Sequence, residues 1–246
     1  MSTGMIVQDR LVNYVQYGDG PKEVVLLHGW GQNIKMMDFI GKKLENAHVT
    51  IFDLPGFGNS KEPNQSMNVQ EYAEWLSMVL KLLDIENPIL VGHSFGGRVA
   101  VKYAANYDVD KLVLLATPII RHRKKPTLQE KFYKVVKSTP IGGFVRNMVA
   151  SEDYKNASPI MRETLVKAVT EDLLDDAKKI EAPTILLAGI EDTAVALQDT
   201  EEVARQMKDA AVIKQFGTHY AYLENLDQTC AIINEFIKPA KTLKKM

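Results

Sequence analysis

Apolar and polar positions along the chain fall into two alternating rhythms, and each rhythm predicts its own element. Residues 5–17 (MIVQDRLVNYVQY) read as two strands of a hairpin. Residues 23–29 (EVVLLHG) are a continuous apolar run of the kind buried on both faces of a sheet. A short helix is expected over 33–46 and a strand over 49–56 (VTIFDLPG). Residues 68–84 place Val69, Tyr72, Leu76, Val79 and Leu83 at helical spacing behind Asn68, a residue suited to cap a helix start. A strand over 88–94 (PILVGHS), a helix over 95–107 and a strand over 111–117 (KLVLLAT) continue the alternation.

The rhythm then breaks. From Pro118 to Ile180 no strand is expected, only helical segments over 127–137, 141–150, 158–169 and 170–180. Strand patterning returns at 184–192 (TILLAGIED), followed by a helix over 196–208, a strand over 210–217 (AAVIKQFG) and a closing helix over 221–237. Strands alternating with helices predict an α/β fold with a mostly parallel sheet of eight strands, covered by helices on both faces. At about 150 residues per domain, the length of 246 residues exceeds one domain without reaching two. The helical interruption accounts for the excess: 1–117 with 181–246 are expected as the core domain, and 118–180 as an inserted helical cap.

Composition narrows the function. Hydrophobic residues make up 46% and charged residues 25%, which places the chain among ordinary globular proteins and away from disordered or fibrous ones. Thirty basic against 31 acidic residues lack the basic excess of a nucleic-acid binder. The single cysteine excludes an intramolecular disulfide and suits a reducing compartment. The first residues, MSTGMIVQDR, lack the basic-then-apolar pattern of a secretory signal, and no apolar run approaches the roughly 18 residues of a membrane span. A cytoplasmic protein is the expectation.

The most informative six residues are GHSFGG, Gly92 to Gly97, set between a predicted strand and a predicted helix. G-x-S-x-G in that setting forms a sharp turn with the serine strained at its tip and its hydroxyl projecting above the carboxyl edge of the sheet. Gly92 and Gly96 flank Ser94 because side chains there would collide across the turn. The backbone N–H of Phe95 lies at the start of the following helix, where it can donate to a developing oxyanion. The plain alternative is a glycine-rich turn with a capping serine.

Taken in order, HGWG (28–31), DLPGFGNS (53–60), GHSFGG (92–97), an Asp after a late strand and a late His resemble the α/β-hydrolase superfamily, in the group of small cap-bearing serine hydrolases. The resemblance covers nearly the whole chain. It implies an acid and a base following the serine in the order Ser, Asp or Glu, His. Of the five histidines, His219 alone follows the second half of the sheet, directly after the last predicted strand. The family often has Gly before that histidine, where this chain has Thr218. The acid is expected at Asp192, which matches the family position after Gly189; Glu191 is a near rival and Asp199 a remote one. The second oxyanion donor is expected at the backbone N–H of Trp30, with Gly29 and Gly31 bringing that loop close to substrate. His28 is expected to fix the loop by hydrogen bonds, Asp53 to order the loops around it, and Cys230 to be buried packing.

A serine nucleophile disfavours the alkyl-enzyme chemistry of relatives that carry Asp there. It favours acyl chemistry, and the expected activity is that of a carboxylesterase acting on a small-molecule acyl substrate through an acyl-enzyme. No cofactor and no metal site are expected. A C–C bond hydrolase of ring-cleavage diketones would carry the same triad, and a ligand-sensing regulatory protein of this fold would also keep it; both readings stay open. So do the monomer and the homodimer. Ile119, Ile120, Phe132, Ile141, Phe144, Met148 and Met161 are candidates to line an apolar cavity under the cap or to be core between its helices. Residues 118–150 hold eight basic residues (Arg121, Arg123, Lys124, Lys125, Lys131, Lys134, Lys137, Arg146) against Glu130 alone, a local balance of +7. Such a stretch either steers an anionic or carrier-protein-linked substrate, as the basic caps of carrier-protein methyl esterases suggest by loose resemblance, or is a solvated helical face.

Overall fold

The computed structural model describes residues 3–121 and 157–239. Its strands are β1 (Thr3–Val7), β2 (Arg10–Tyr17), β3 (Lys22–Leu27), β4 (Ala47–Phe52), β5 (Ile89–His93), β6 (Lys111–Leu115), β7 (Thr184–Gly189) and β8 (Ala210–Gln215). They form one sheet in the order β1-β2-β4-β3-β5-β6-β7-β8. β1 and β2 are antiparallel to their neighbours, and every pairing from β4 through β3 to β8 is parallel. The first hairpin closes through Gln8 and Asp9, at φ 48 and 59. Two successive left-handed residues give a two-residue turn the twist that suits a hairpin.

Among the described residues the helices are α1 (Ile34–Gly41), α2 (Val69–Leu82), α3 (Phe95–Ala104), α4 (Pro159–Thr170), α5 (Leu174–Ala177), α6 (Leu197–Gln206), α7 (Ala221–Glu224) and α8 (Leu226–Ile237). Successive strand residues point to opposite faces, so each central strand feeds two cores. Val25 and Leu27 pack with Leu76 and Val79 of α2 and Val99 of α3 on one face. Val24 and Leu26 pack with Met37 and Ile40 of α1 and Ile233 of α8 on the other. That double burial is the reason these strands read as unbroken apolar runs.

The α2 start is a capping box: the Asn68 side chain accepts from the Glu71 N–H at 2.9 Å, and the Glu71 carboxylate accepts from the Asn68 N–H at 2.6 Å. The single closing helix expected over 221–237 is instead two, α7 and α8, broken at Asn225 (φ −121, ψ 45). The Asn225 side chain donates to the carbonyls of Phe216 at 2.6 Å and Ala221 at 2.9 Å. A short amide that bonds to nearby backbone competes with the helix ladder. The helix expected over 170–180 shortens to α5, because Glu171 is extended. The expected helices at 127–137 and 141–150 lie outside the described residues.

Beyond β3 the chain passes to β4 on one side of it, while β5 lies on the other. The loops leaving the carboxyl ends of β3 and β5 therefore diverge from a switch point in the strand order, the place where open α/β sheets leave a crevice. Residues 28–33 and Ser94 sit there.

Candidate active site

Ser94 occupies the tight turn from β5 into α3 with φ 49 and ψ −108, a conformation that costs a non-glycine residue about 1–3 kcal/mol. The surrounding chain enforces it. The Ser94 N–H donates to the Leu115 carbonyl at 2.9 Å, and its own carbonyl accepts from Arg98 at 3.1 Å to start α3. Strand and helix cross so closely that a Cβ on Gly92 would stand 2.6 Å from Gly97, and one on Gly96 would run into the carbonyls of Leu27 and His28. Phe95 is the first residue of α3, so its N–H is one of the helix donors with no partner inside the helix.

His219 follows β8 and meets Asp192, which follows β7. The two are held by Nδ1 and Oδ2 at 2.8 Å, with the carboxylate nearly sealed from solvent. The other carboxylate oxygen accepts from the N–H groups of Ala194 at 2.7 Å and Val195 at 2.9 Å, which fixes the side chain independently of the histidine. With an acceptor on Nδ1, that nitrogen carries the proton and Nε2 is left as the acceptor. Of the two adjacent acids, Asp192 makes this contact; Glu191 is exposed, and Asp199 lies in the first turn of α6.

The loop of His219 stands over the elbow. Its ring lies 5.0 Å from that of His93, and His93 Nε2 is 3.2 Å from the His219 carbonyl oxygen. Thr218, the residue before the histidine, is gripped by Glu224, whose carboxylate accepts from the Thr218 N–H at 2.8 Å and hydroxyl at 2.6 Å. Sequence reasoning missed Glu224, since nothing in the chain marks an acid six residues downstream as a clamp.

The HGWG loop is ordered from beneath. His28 is fully buried, its Nδ1 donating to the Gly29 carbonyl at 2.7 Å and its Nε2 accepting from the Leu54 N–H at 3.0 Å. Burial pushes its pKa down to about 4, so the ring is neutral and holds both bonds. Asp53 accepts from the N–H groups of Ile34 and Asn59, each at 2.8 Å, and from the Asn13 amide at 2.7 Å. It ties together three segments, as expected of it. Gln32, which sequence analysis passed over, accepts from the Gly29 N–H at 2.9 Å. The Trp30 ring packs edge-on against Phe57 and Phe95 at 4.8 and 5.3 Å, which builds an apolar wall beside Ser94. Met161 of α4 lies against Gly56 beside this wall.

Of the other candidates, Cys230 is buried and Ile119 is core. Arg121 spends its guanidinium on the Thr170 carbonyl at 2.5 Å and its N–H on Asp172 at 2.8 Å. Arg123, Lys124, Lys125, Lys131, Lys134, Lys137 and Arg146 lie outside the described residues, as do Phe132, Ile141, Phe144 and Met148. Among the described residues no cluster of His, Cys, Asp or Glu could hold a metal ion, and no helix is long and apolar enough to cross a membrane.

A sequence profile described as alpha/beta hydrolase fold matches residues 22–156. A protein of Bacillus subtilis named AB hydrolase superfamily protein YisY is 25% identical over 87% of this chain and 91% of its own. Lipase 1 of Psychrobacter immobilis is 29% identical over 90% of this chain and 78% of its own. Among solved structures, an esterase from Exiguobacterium antarcticum superposes with a TM-score of 0.79 at 19% identity, covering 97% of this chain and all of that one.

Proposed function

The chain belongs to the α/β-hydrolase fold family, and we propose that within it the protein is a serine hydrolase that cleaves carboxylic esters through Ser94, His219 and Asp192. The observation that carries this reading is the Asp192–His219 pair at 2.8 Å, its carboxylate buried and its imidazole 5.0 Å from the ring of His93, the neighbour of a serine at φ 49 on a strand-to-helix elbow. The relative named a lipase, 29% identical over 90% of this chain, agrees with it.

In this reading His219 Nε2 takes the Ser94 hydroxyl proton as Oγ attacks the ester carbonyl carbon. The N–H groups of Trp30 and Phe95 donate to the oxyanion of the tetrahedral adduct. Collapse of the adduct breaks the C–O bond, and the proton on His219 passes to the leaving alkoxide. Water then gives a proton to His219 as it attacks the acyl-enzyme; collapse of this second adduct breaks the bond to Ser94 Oγ, which takes the proton back from His219 as the acid leaves. Asp192 keeps the imidazole in the tautomer that this cycle needs and stabilises the imidazolium. The apolar wall of Trp30, Phe57 and Phe95 suits an uncharged acyl chain. Residues 118–180 serve as a cap on a core of 1–117 and 181–246. The test is Ser94→Ala: turnover of short 4-nitrophenyl esters falls by at least about 10³-fold with unchanged circular dichroism, whereas retained turnover contradicts the proposal.

A further inference from the structure

Two buried histidines lie at the base of the site, and they differ in what their nitrogens face. His28 has one acceptor and one donor, the Gly29 carbonyl and the Leu54 N–H. One neutral tautomer satisfies both. His93, in the elbow itself, faces Gln32 Oε1 from Nδ1 at 3.1 Å and the His219 carbonyl oxygen from Nε2 at 3.2 Å. The orientation of the Gln32 amide follows from its other partner, since the Gly29 N–H needs an acceptor and receives Oε1 at 2.9 Å. Both partners of His93 are therefore acceptors. The ring is almost wholly buried, packed against the rings of Tyr222 at 4.5 Å, His219 at 5.0 Å and Tyr220 at 5.6 Å.

We propose that His93 is a positioning residue, its Nε2–H tying the loop of His219 to the elbow and so holding the base at one spacing from Ser94. This inference rests on the reading of Ser94 as nucleophile. Burial, with His219 and His28 nearby, holds the His93 pKa well below the usual imidazole range, so the ring has one proton for two acceptors. A proton on Nε2 grips the His219 loop; a proton on Nδ1 grips Gln32. The first arrangement matters more for catalysis, because Gln32 Oε1 is already held by the Gly29 N–H whichever tautomer the ring adopts.

That asymmetry gives the test. A glutamine amide at position 93 reaches the site of Nε2, and an asparagine amide reaches only that of Nδ1. His93→Phe fills the ring volume and donates nothing. For 4-nitrophenyl acetate, His93→Phe is expected to lower kcat by about 10–100-fold with KM within about threefold, the signature of a displaced base. His93→Gln is expected to turn over at least about fivefold faster than His93→Asn at a similar thermal midpoint. If His93→Phe does not fold, the Gln and Asn variants decide alone. Activity that tracks thermal stability across the variants, or His93→Asn equal to or faster than His93→Gln, overturns the inference. Ser94→Ala runs beside them: turnover that survives it sinks the serine-hydrolase reading and this inference with it, whereas Ser94-dependent turnover with no advantage for His93→Gln sinks the inference alone.

Discussion

Ser94 is held in a backbone conformation that its side chain does not favour, and the glycines around it are the sequence trace of that strain. The elbow was legible for that reason: a motif whose spacing is set by collisions leaves a spacing in the chain. His219 was legible from its place after the last strand. The choice of Asp192 over Glu191 came from the family resemblance and not from the residues themselves, because adjacent acids at the end of a strand look alike until the loop is folded. The geometry separates them by burial and by the two N–H groups that hold Asp192 in place. Asp192→Asn is expected to reduce kcat by about 10⁴-fold, since an amide favours the wrong imidazole tautomer. Glu191→Gln is expected to leave steady-state kinetics on the same ester unchanged. Equal losses from the two substitutions would assign the acid wrongly. Gln32 and Glu224 were illegible because each binds loop backbone, and any polar residue reads the same before tertiary contacts form.

At the scale of elements, periodicity located the strands and most helices, and it failed where side chains bond back to the backbone. Asn225 splits the closing helix by that route, while Asn68 starts one by the same chemistry. Asn68→Ala should lower stability by about 1 kcal/mol, read from the urea midpoint. Residues 118–119 and 171–173 are joined to each other and to α3. The Leu173 N–H donates to the Ile119 carbonyl at 3.0 Å, and Arg98 of α3 donates to the carbonyls of Pro118 at 2.5 Å and Glu171 at 2.6 Å. Lys102, one turn on, pairs with Glu171 at 2.7 Å and Asp176 at 2.5 Å. The helix that begins at the elbow thus also anchors both ends of the proposed cap. Arg98→Met removes two charge-assisted bonds and leaves two carbonyls short of a donor. It should cost about 2–4 kcal/mol of stability by urea denaturation; a loss under about 0.5 kcal/mol would show that the anchorage is not held by Arg98. A basic residue in an apolar helix pattern gave no sign of this role, because its partners are carbonyls far along the chain.

At the scale of the molecule, the order of strands places the HGWG loop, the elbow and the late histidine at one edge of one sheet. The alternation of apolar runs predicted that sheet and its first hairpin; the antiparallel docking of β2 on β4 came from a pairing the runs do not encode. The same compactness buries two neutral histidines beneath the site, with a consequence for acid stability. His28 has its pKa lowered to about 4 by burial against an ordinary 6.5, and His93 shifts in the same direction. Below pH 6.5 the unfolded chain takes up protons that the native chain refuses, so stability is full above that pH and falls as pH drops toward 4. His28 alone should remove about 2 kcal/mol between pH 7 and pH 5. Urea midpoints across that range, above the titration of most carboxylates, would show the decline; a flat profile would contradict the burial of neutral imidazoles.

Every step of the proposed chemistry runs through Ser94 as the nucleophile. The most direct measurement is labelling of the intact protein with a fluorophosphonate, followed by mass mapping of the modified peptide. One label per chain on the peptide bearing Ser94, lost in Ser94→Ala and in His219→Ala, is the result expected. A label on another residue, or a folded protein that takes none, would contradict the account.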